Sequence, residues 1–252
     1  HAPDASGIES VRGIDLRDDA QLEWLDRFAG LYGERPFPDD ATPGFRYHYK
    51  NPAFGYGDGT SLYSMLRLLR PKRVIEIGSG YSSSMMLDVN DRFLDGGASL
   101  TFIEPYPKLL HSLIRDDDRG RHRIVESPVQ DVAPDLVDTL EPNDILFIDS
   151  THVSKLASDV NWLFFEWLPR VRPGVFVHLH DIFWPFEYPK KWVQEGRAWN
   201  ELYLLRAFLM HNPEFQIEFF NDYLCRRHRS RLVASMPDYG KNGGGSIWIR
   251  RR

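Results

Sequence analysis

The sequence predicts an α/β domain, a doubly wound and mostly parallel seven-stranded sheet whose last strand runs antiparallel. Three observations carry this. Short apolar runs recur at 73–77, 100–103, 123–125, 144–148 and 175–179. Helical stretches separate them, at 83–93, 106–114, 134–140 and 155–168, and strands alternating with helices imply parallel pairing with right-handed crossovers. The runs also lack polar alternation, as strands covered on both faces do.

Before the first run, Leu22, Leu25, Phe28, Leu31 and Tyr32 recur at helical spacing, which predicts an amphipathic helix over 19–32. The first twenty residues read as polar and weakly anchored. A loop rich in Pro, Gly and aromatics spans 36–59, and Thr60 or Ser61 caps a helix carrying Leu62, Met65, Leu66 and Leu69 that Pro71 stops. After the fifth strand comes an aromatic insertion over 182–199. A helix follows with Leu202, Leu205, Phe208 and Leu209, and Asn200 is its expected cap. Two more strands are predicted at 215–220 and 246–250, the last preceded by Gly243, Gly244 and Gly245. The domain reading is a helical and aromatic cap segment over 1–56 and a main domain over 57–252, with 182–199 as a lid insertion.

Composition narrows the class. The chain of 252 residues carries a formal charge of -5, which gives no electrostatic footing for a nucleic-acid partner. The basic run Arg226, Arg227, His228, Arg229, Ser230 and Arg231 reads as a solvated helix or loop face. Cys225 is the single cysteine, so no internal disulfide forms, in keeping with a reducing compartment. No stretch approaches the ~18 apolar residues of a membrane span. The expectation is a soluble cytoplasmic protein without a membrane partner; an oligomer is left open.

The first apolar run, 74–77, passes into Gly78, Ser79 and Gly80 and then into a helix. Glycines there let the backbone approach a ligand at the carboxyl edge of the sheet, and Ser82 with the free N–H groups of the next helix can hold an anionic group. Glu104 closes the second strand 24 residues after Gly80, where a carboxylate can accept from both ribose hydroxyls. A nicotinamide-dependent oxidoreductase shares these features, but its fingerprint wants a third glycine where this chain has Ser83. Glu76, just before the turn, favours a nucleoside with a positive charge over a pyrophosphate.

These residues resemble the first motif of class I S-adenosylmethionine-dependent methyltransferases, which are Rossmann-like, and Glu104 resembles their ribose-binding acid. Residues 125–131 resemble the third-strand loop of catechol O-methyltransferase, where a Ser-Gln pair meets the adenine; this implies Gln130 as the adenine contact. The resemblance runs from about 57 to 252 and is nearest to a bacterial branch, methyltransferase domain 24. It implies S-adenosylmethionine as cofactor, held by Glu76, Gly78, Ser79, Gly80, Ser82, Glu104, Gln130 and Asp149.

Asp149 and His152 follow the fourth strand, and His180 and Asp181 close the fifth. In a parallel sheet these ends face one cleft, and carboxylates with imidazoles suit a divalent ion such as Mg2+ or Mn2+, or less readily Zn2+ or Fe2+. The spacing resembles the metal-dependent O-methyltransferases that act on catechols and macrolide sugars. That implies Asp149, His180 and Asp181 as metal ligands and His152 as general base for a small-molecule hydroxyl (sugar, polyketide or phenolic). His180 departs from the acid these relatives carry. A metal-free site, with Asp181 orienting His152, stays open. So do a NAD-dependent oxidoreductase and a non-catalytic nucleoside-binding protein. Among the aromatics at 47, 49, 54, 56 and 183–188, Trp184 is the pocket candidate; His178 reads as a core histidine.

Overall fold

A computed structural model describes residues 8–252. In chain order the elements are α1 (Asp18–Tyr32), α2 (Tyr56–Leu69), β1 (Arg73–Ile77), α3 (Tyr81–Phe93), β2 (Ser99–Ile103), α4 (Lys108–Leu113), α5 (Asp118–Arg121), β3 (Arg123–Val125), β4 (Ile145–Ile148), α6 (Asp159–Trp162), β5 (Phe176–His180), α7 (Lys190–Gln194), α8 (Glu201–Leu209), β6 (Phe215–Phe220), α9 (Asn221–Arg227), α10 (Arg229–Ser235) and β7 (Ser246–Arg251). They build one seven-stranded sheet in the order β3-β2-β1-β4-β5-β7-β6. β1 to β5 are mutually parallel, and β7 runs antiparallel to both β5 and β6. The fold class is thus the one the strand–helix alternation predicts.

The chain winds outward from β1 through β2 to β3, then returns to place β4 on β1's other side. Open α/β sheets bind ligands at the carboxyl ends of strands at such a reversal. Register brings those ends level, since Ile77 pairs with both Ile103 and Ile148. The ladder then runs one residue further: Gly78 N–H donates to the Ile103 carbonyl and Asp149 N–H to the Ile77 carbonyl, at 3.0 and 2.8 Å. Every side chain of β4 and β5 is buried, as the absence of polar alternation predicts.

The amino-terminal part is stitched to the far end of the sheet. Trp24 of α1 donates to Glu218 of β6 at 2.8 Å and packs edge-on against Phe176, while Phe28 meets Phe219. The segment before α1 is anchored, contrary to expectation: His211 N–H donates to the Gly13 carbonyl, and Arg17 to that of Ile217. The loop before α2 hangs on Arg46, a buried cation bonded to Asp88 and Asp118. Asp91 is a third carboxylate on the same guanidinium, at 2.9 Å, so the buried charge is compensated from three sides.

Several boundaries differ from the sequence reading. α2 begins at Tyr56, because the glycines taken for loop formers lie inside it to permit close packing. A Cβ on Gly57 would sit 2.3 Å from the Gly243 carbonyl carbon, and one on Gly59 would sit 2.2 Å from the Tyr47 hydroxyl. The helix expected at 155–168 starts instead at Asp159, capped by the Ser158 hydroxyl, and continues as a π turn over Leu163–Trp167. Asn200 does not cap α8; its Oδ1 accepts from Ser154 N–H. The basic run at 226–231 lies on α9 and α10, whose short apolar stripes give too little periodicity to read.

Candidate active site

Gly78, Glu104, Gln130 and Asp149 line one cleft of about 410 Å³ at the ends of β1 to β4. Gly78 turns at φ +80°, and a Cβ there would lie 1.8 Å from the Asp149 carbonyl oxygen. Only glycine satisfies both demands, so the turn presses directly onto the β4 end. Glu104 accepts from Ser79 N–H at 3.1 Å and from Tyr106 N–H at 2.7 Å, which fixes its carboxylate beside the glycine turn. Gln130 reaches across the cleft and donates to the Ala157 carbonyl at 3.0 Å.

The other residues of the first motif stand behind that surface. Glu76 is wholly buried and accepts from the hydroxyls of Ser82 and Ser83, while Ser83 Oγ accepts from Gly80 N–H. Burial pushes the Glu76 carboxyl up to about 8 against the opposing pull of those hydroxyls. Glu76, Gly80 and Ser82 are therefore engaged in shaping the turn; none of them, nor Ser79, lines the cleft.

Beside the cleft, the ends of β4 and β5 bring the four predicted groups together. Asp149, His152 and Asp181 form a set of possible metal donors within 4.8 Å of one another. His152 Nε2 lies 3.3 Å from Asp149 and 3.5 Å from Asp181, and Nδ1 lies 2.8 Å from Glu201 at the start of α8. His180 Nδ1 is 3.4 Å from Asp181 and 3.9 Å from Asp149, and Nε2 is 3.8 Å from Asp58 on α2. Both His180 nitrogens are buried without a hydrogen-bond partner. His152 and Asp181 both adopt left-handed backbone, at φ 60° and 55°. Such strain concentrates at functional sites.

Charge decides what this cluster lacks. Four carboxylates (Asp58, Asp149, Asp181 and Glu201) surround two imidazoles. Burial disfavours a charged His152, but its hydrogen bonds to Asp149 and Glu201 prevail and push it up to about 10. His180 is raised well above its ordinary value by Asp181 and Asp149, again against burial. Burial likewise opposes ionisation of Asp149, and His180 and His152 overcome it. Even with both rings protonated, the group keeps two uncompensated negative charges, the complement of a divalent cation.

Sequence reasoning missed Glu201 and Asp58. Glu201 falls beside Asn200, the expected cap of the predicted helix, and Asp58 within the predicted loop 36–59. Asp58 is in fact buried and accepts from Asn221, Ser246 and Gly245 N–H. Trp184 is also not a pocket wall: it is 1% exposed and packs on Tyr223 and Phe220. Tyr47, Tyr49, Phe54 and Tyr56 are likewise buried. His178 is the core histidine expected, stacked on Phe147 at 3.8 Å with its pKa lowered by burial.

Comparison with known proteins falls on this same stretch. A family model described as a methyltransferase domain matches residues 75–182, from within β1 to just past the His180–Asp181 pair. The match covers less than half of the chain. An uncharacterized protein of Archaeoglobus fulgidus is 32% identical over 142 residues, covering 54% of this chain and 62% of that one, so less than two thirds of that relative is spanned. The O-methyltransferase from Bacillus cereus, solved with S-adenosylhomocysteine, shares the fold at 14% identity, TM-score 0.50 and 91% coverage of each chain. The O-methyltransferase TomG from Streptomyces achromogenes, involved in tomaymycin synthesis and solved with S-adenosylmethionine, is 19% identical with TM-score 0.48, over 91% of this chain and 89% of its own. The matched stretch contains the glycine turn, Glu104, Gln130 and the β4 and β5 ends, while Asp58 and Glu201 come from outside it. No helix among the described residues is long and apolar enough to cross a membrane.

Proposed function

We propose that the chain is an S-adenosylmethionine-dependent O-methyltransferase acting on a hydroxyl of a small molecule. The observation that carries the reading is adjacency: a cleft lined by Gly78, Glu104 and Gln130 shares Asp149 with a cluster of carboxylates and imidazoles. Glu104 takes the ribose hydroxyls and Gln130 the adenine edge, while Gly78 lets the backbone come close to the cofactor. Glu76 and Ser82 hold the turn in shape from behind. S-adenosylmethionine supplies the sulfonium methyl.

A divalent cation fits the cluster. His180 Nδ1, buried and without a partner, faces Asp149 and Asp181, and these three residues would hold the ion. Such an ion supplies charge that lowers the pKa of an acceptor hydroxyl. With Asp149 and Asp181 engaged by that ion, His152 would keep Glu201 as its partner and its pKa would fall toward the working range. Glu201 then fixes the tautomer through Nδ1, and Nε2 takes the hydroxyl proton as the oxygen–methyl bond forms and the carbon–sulfur bond breaks. Residues 57–252 would form the methyltransferase domain, with 1–56 as a cap segment and 182–199 as cover on the acceptor side.

Calorimetry with S-adenosylhomocysteine and with NAD, each with Mg2+ or EDTA, tests this. Binding of S-adenosylhomocysteine, with a rise in Tm by mass action, is the expected result. Binding of NAD with S-adenosylhomocysteine ignored would overturn the reading. Full turnover in excess EDTA would remove the cation and leave His152 acting alone.

A further inference from the structure

A second cavity, about 450 Å³, reaches the cluster from the other side. His180 and Asp181 form its base, Phe183 and Trp192 one wall, and Arg226 and Arg229 its rim. It shares no lining residue with the cofactor cleft. Yet Asp149 lines the one and Asp181 the other, and both lie within 3.5 Å of His152 Nε2. A molecule in this cavity therefore faces the cleft across the proposed base.

Gly243, Gly244 and Gly245 also line the cavity, close against Cys225 and Phe183. A side chain at Gly243 would fall 2.6 Å from Cys225 Sγ, and one at Gly245 would fall 2.5 Å from the Phe183 ring. Asn51 and Asn242 add polar side chains to this lining. Two of its three acidic groups are engaged by donors, since Asp222 accepts from Arg226 and from Trp184 N–H, each at 2.8 Å, and Asp58 accepts from three donors; the third, Asp181, belongs to the cluster that a divalent cation would neutralise. Arg229 differs. It is exposed at the rim and pairs with no carboxylate among the described residues, although a cation in the first turn of α10 is disfavoured by the helix dipole.

We propose that this cavity receives the methyl acceptor, and that the acceptor is a hydroxylated molecule bearing an anionic group, a carboxylate or a phosphate, held by Arg229. The inference rests on the methyl-transfer reading above and adds the substrate class. Arg229 gives a planar fork that matches either anion. Phe183 and Trp192 would flank the body of the acceptor and direct its hydroxyl toward Asp181 and His152.

The test uses the full chain with Mg2+, titrated with and without S-adenosylhomocysteine. The probes are D-glucose against D-glucuronate and D-glucose 6-phosphate, and catechol against 3,4-dihydroxybenzoate. At least one acidic probe should bind ten-fold or more tightly than its neutral partner. Arg229→Met should abolish that preference and leave S-adenosylhomocysteine affinity unchanged. The two sugar acids tell whether carboxylate or phosphate is the group held. Neutral probes binding as well as acidic ones, no acidic probe binding, or a preference that survives Arg229→Met would each overturn the proposal. Failure of S-adenosylhomocysteine to bind would instead fell the methyl-transfer reading, and the anion preference measured without it is judged separately.

Discussion

The two halves of the sheet's carboxyl edge are built on different physics. The half at β1 to β3 works through backbone shape: a glycine turn, a carboxylate fixed by two N–H groups, and one amide side chain. The half at β4 and β5 works through concentrated charge, with carboxylates from four elements or loops around two buried imidazoles. A nucleoside can be held by a pre-shaped edge at little electrostatic cost. Activating a hydroxyl needs a field, and a field needs ionised groups kept close and dry.

If the halves are functionally separate, substitutions should divide cleanly. The largest effect is expected at His152. His152→Ala should lower kcat by about 10²- to 10⁴-fold while affinities for Mg2+ and S-adenosylhomocysteine hold. His180→Ala should do the opposite to the metal, weakening Mg2+ binding measured by calorimetry. Equal loss of Mg2+ in His152→Ala would make that ring a ligand and end its assignment as base. On the other half, Glu104→Ala removes an acceptor of two charge-assisted hydrogen bonds, each about 1.5–3 kcal/mol. S-adenosylhomocysteine affinity should fall by roughly 100-fold or more, with Mg2+ affinity intact.

The same division governs what the sequence discloses. Gly78, Glu104 and the strand-end pairs follow directly from apolar runs, because each is within four residues of the end of a strand that patterning locates. The fold was equally open to reading, since buried parallel strands leave uninterrupted apolar runs. Glu201 and Asp58 were not, because each reaches the cluster through tertiary packing from a helix. Glu201 lies 49 residues beyond His152, and Asp58 is in a stretch whose glycines mimic a loop. Trp184 failed for the converse reason: an aromatic beside a site and an aromatic filling the core under α9 have the same local sequence.

Gly78 is where the halves touch, and Gly78→Ala sharpens the comparison. The left-handed backbone alone costs a non-glycine residue about 1–3 kcal/mol, and the added methyl overlaps the Asp149 carbonyl. A loss of at least about 2 kcal/mol in chemical denaturation is expected. Mg2+ affinity should fall with it, because Asp149 must shift. Unchanged Mg2+ affinity would mean that the β4 end absorbs the strain without moving its carboxylate.

The smallest effect separates the halves by pH. Glu76, on the cofactor side, has its carboxyl raised from 4.5 to about 8 by burial. His152, on the reaction side, is raised from 6.5 to about 10. Each folded-state pKa is above the unfolded one, so the native protein holds protons that the unfolded chain releases. The resulting stability is lost as pH rises. For Glu76 it is complete below about 4.5 and gone above about 8; for His152 it is complete below about 6.5 and gone above about 10. The windows overlap, but pH 4.5–6.5 belongs to Glu76 and pH 8–10 to His152. Calorimetric Tm of the protein in EDTA should therefore decline through both. Glu76→Gln keeps a neutral group of the same shape and should flatten only the lower window. Glu201→Gln removes one of the partners that raise His152 and should shorten only the upper one. A Glu76→Gln curve that runs parallel to the unsubstituted protein between pH 4.5 and 6.5 would show that the buried carboxyl does not hold its proton. The two hydroxyls of Ser82 and Ser83 would then be stabilising a carboxylate behind the glycine turn, and the cofactor half would carry a buried charge of its own.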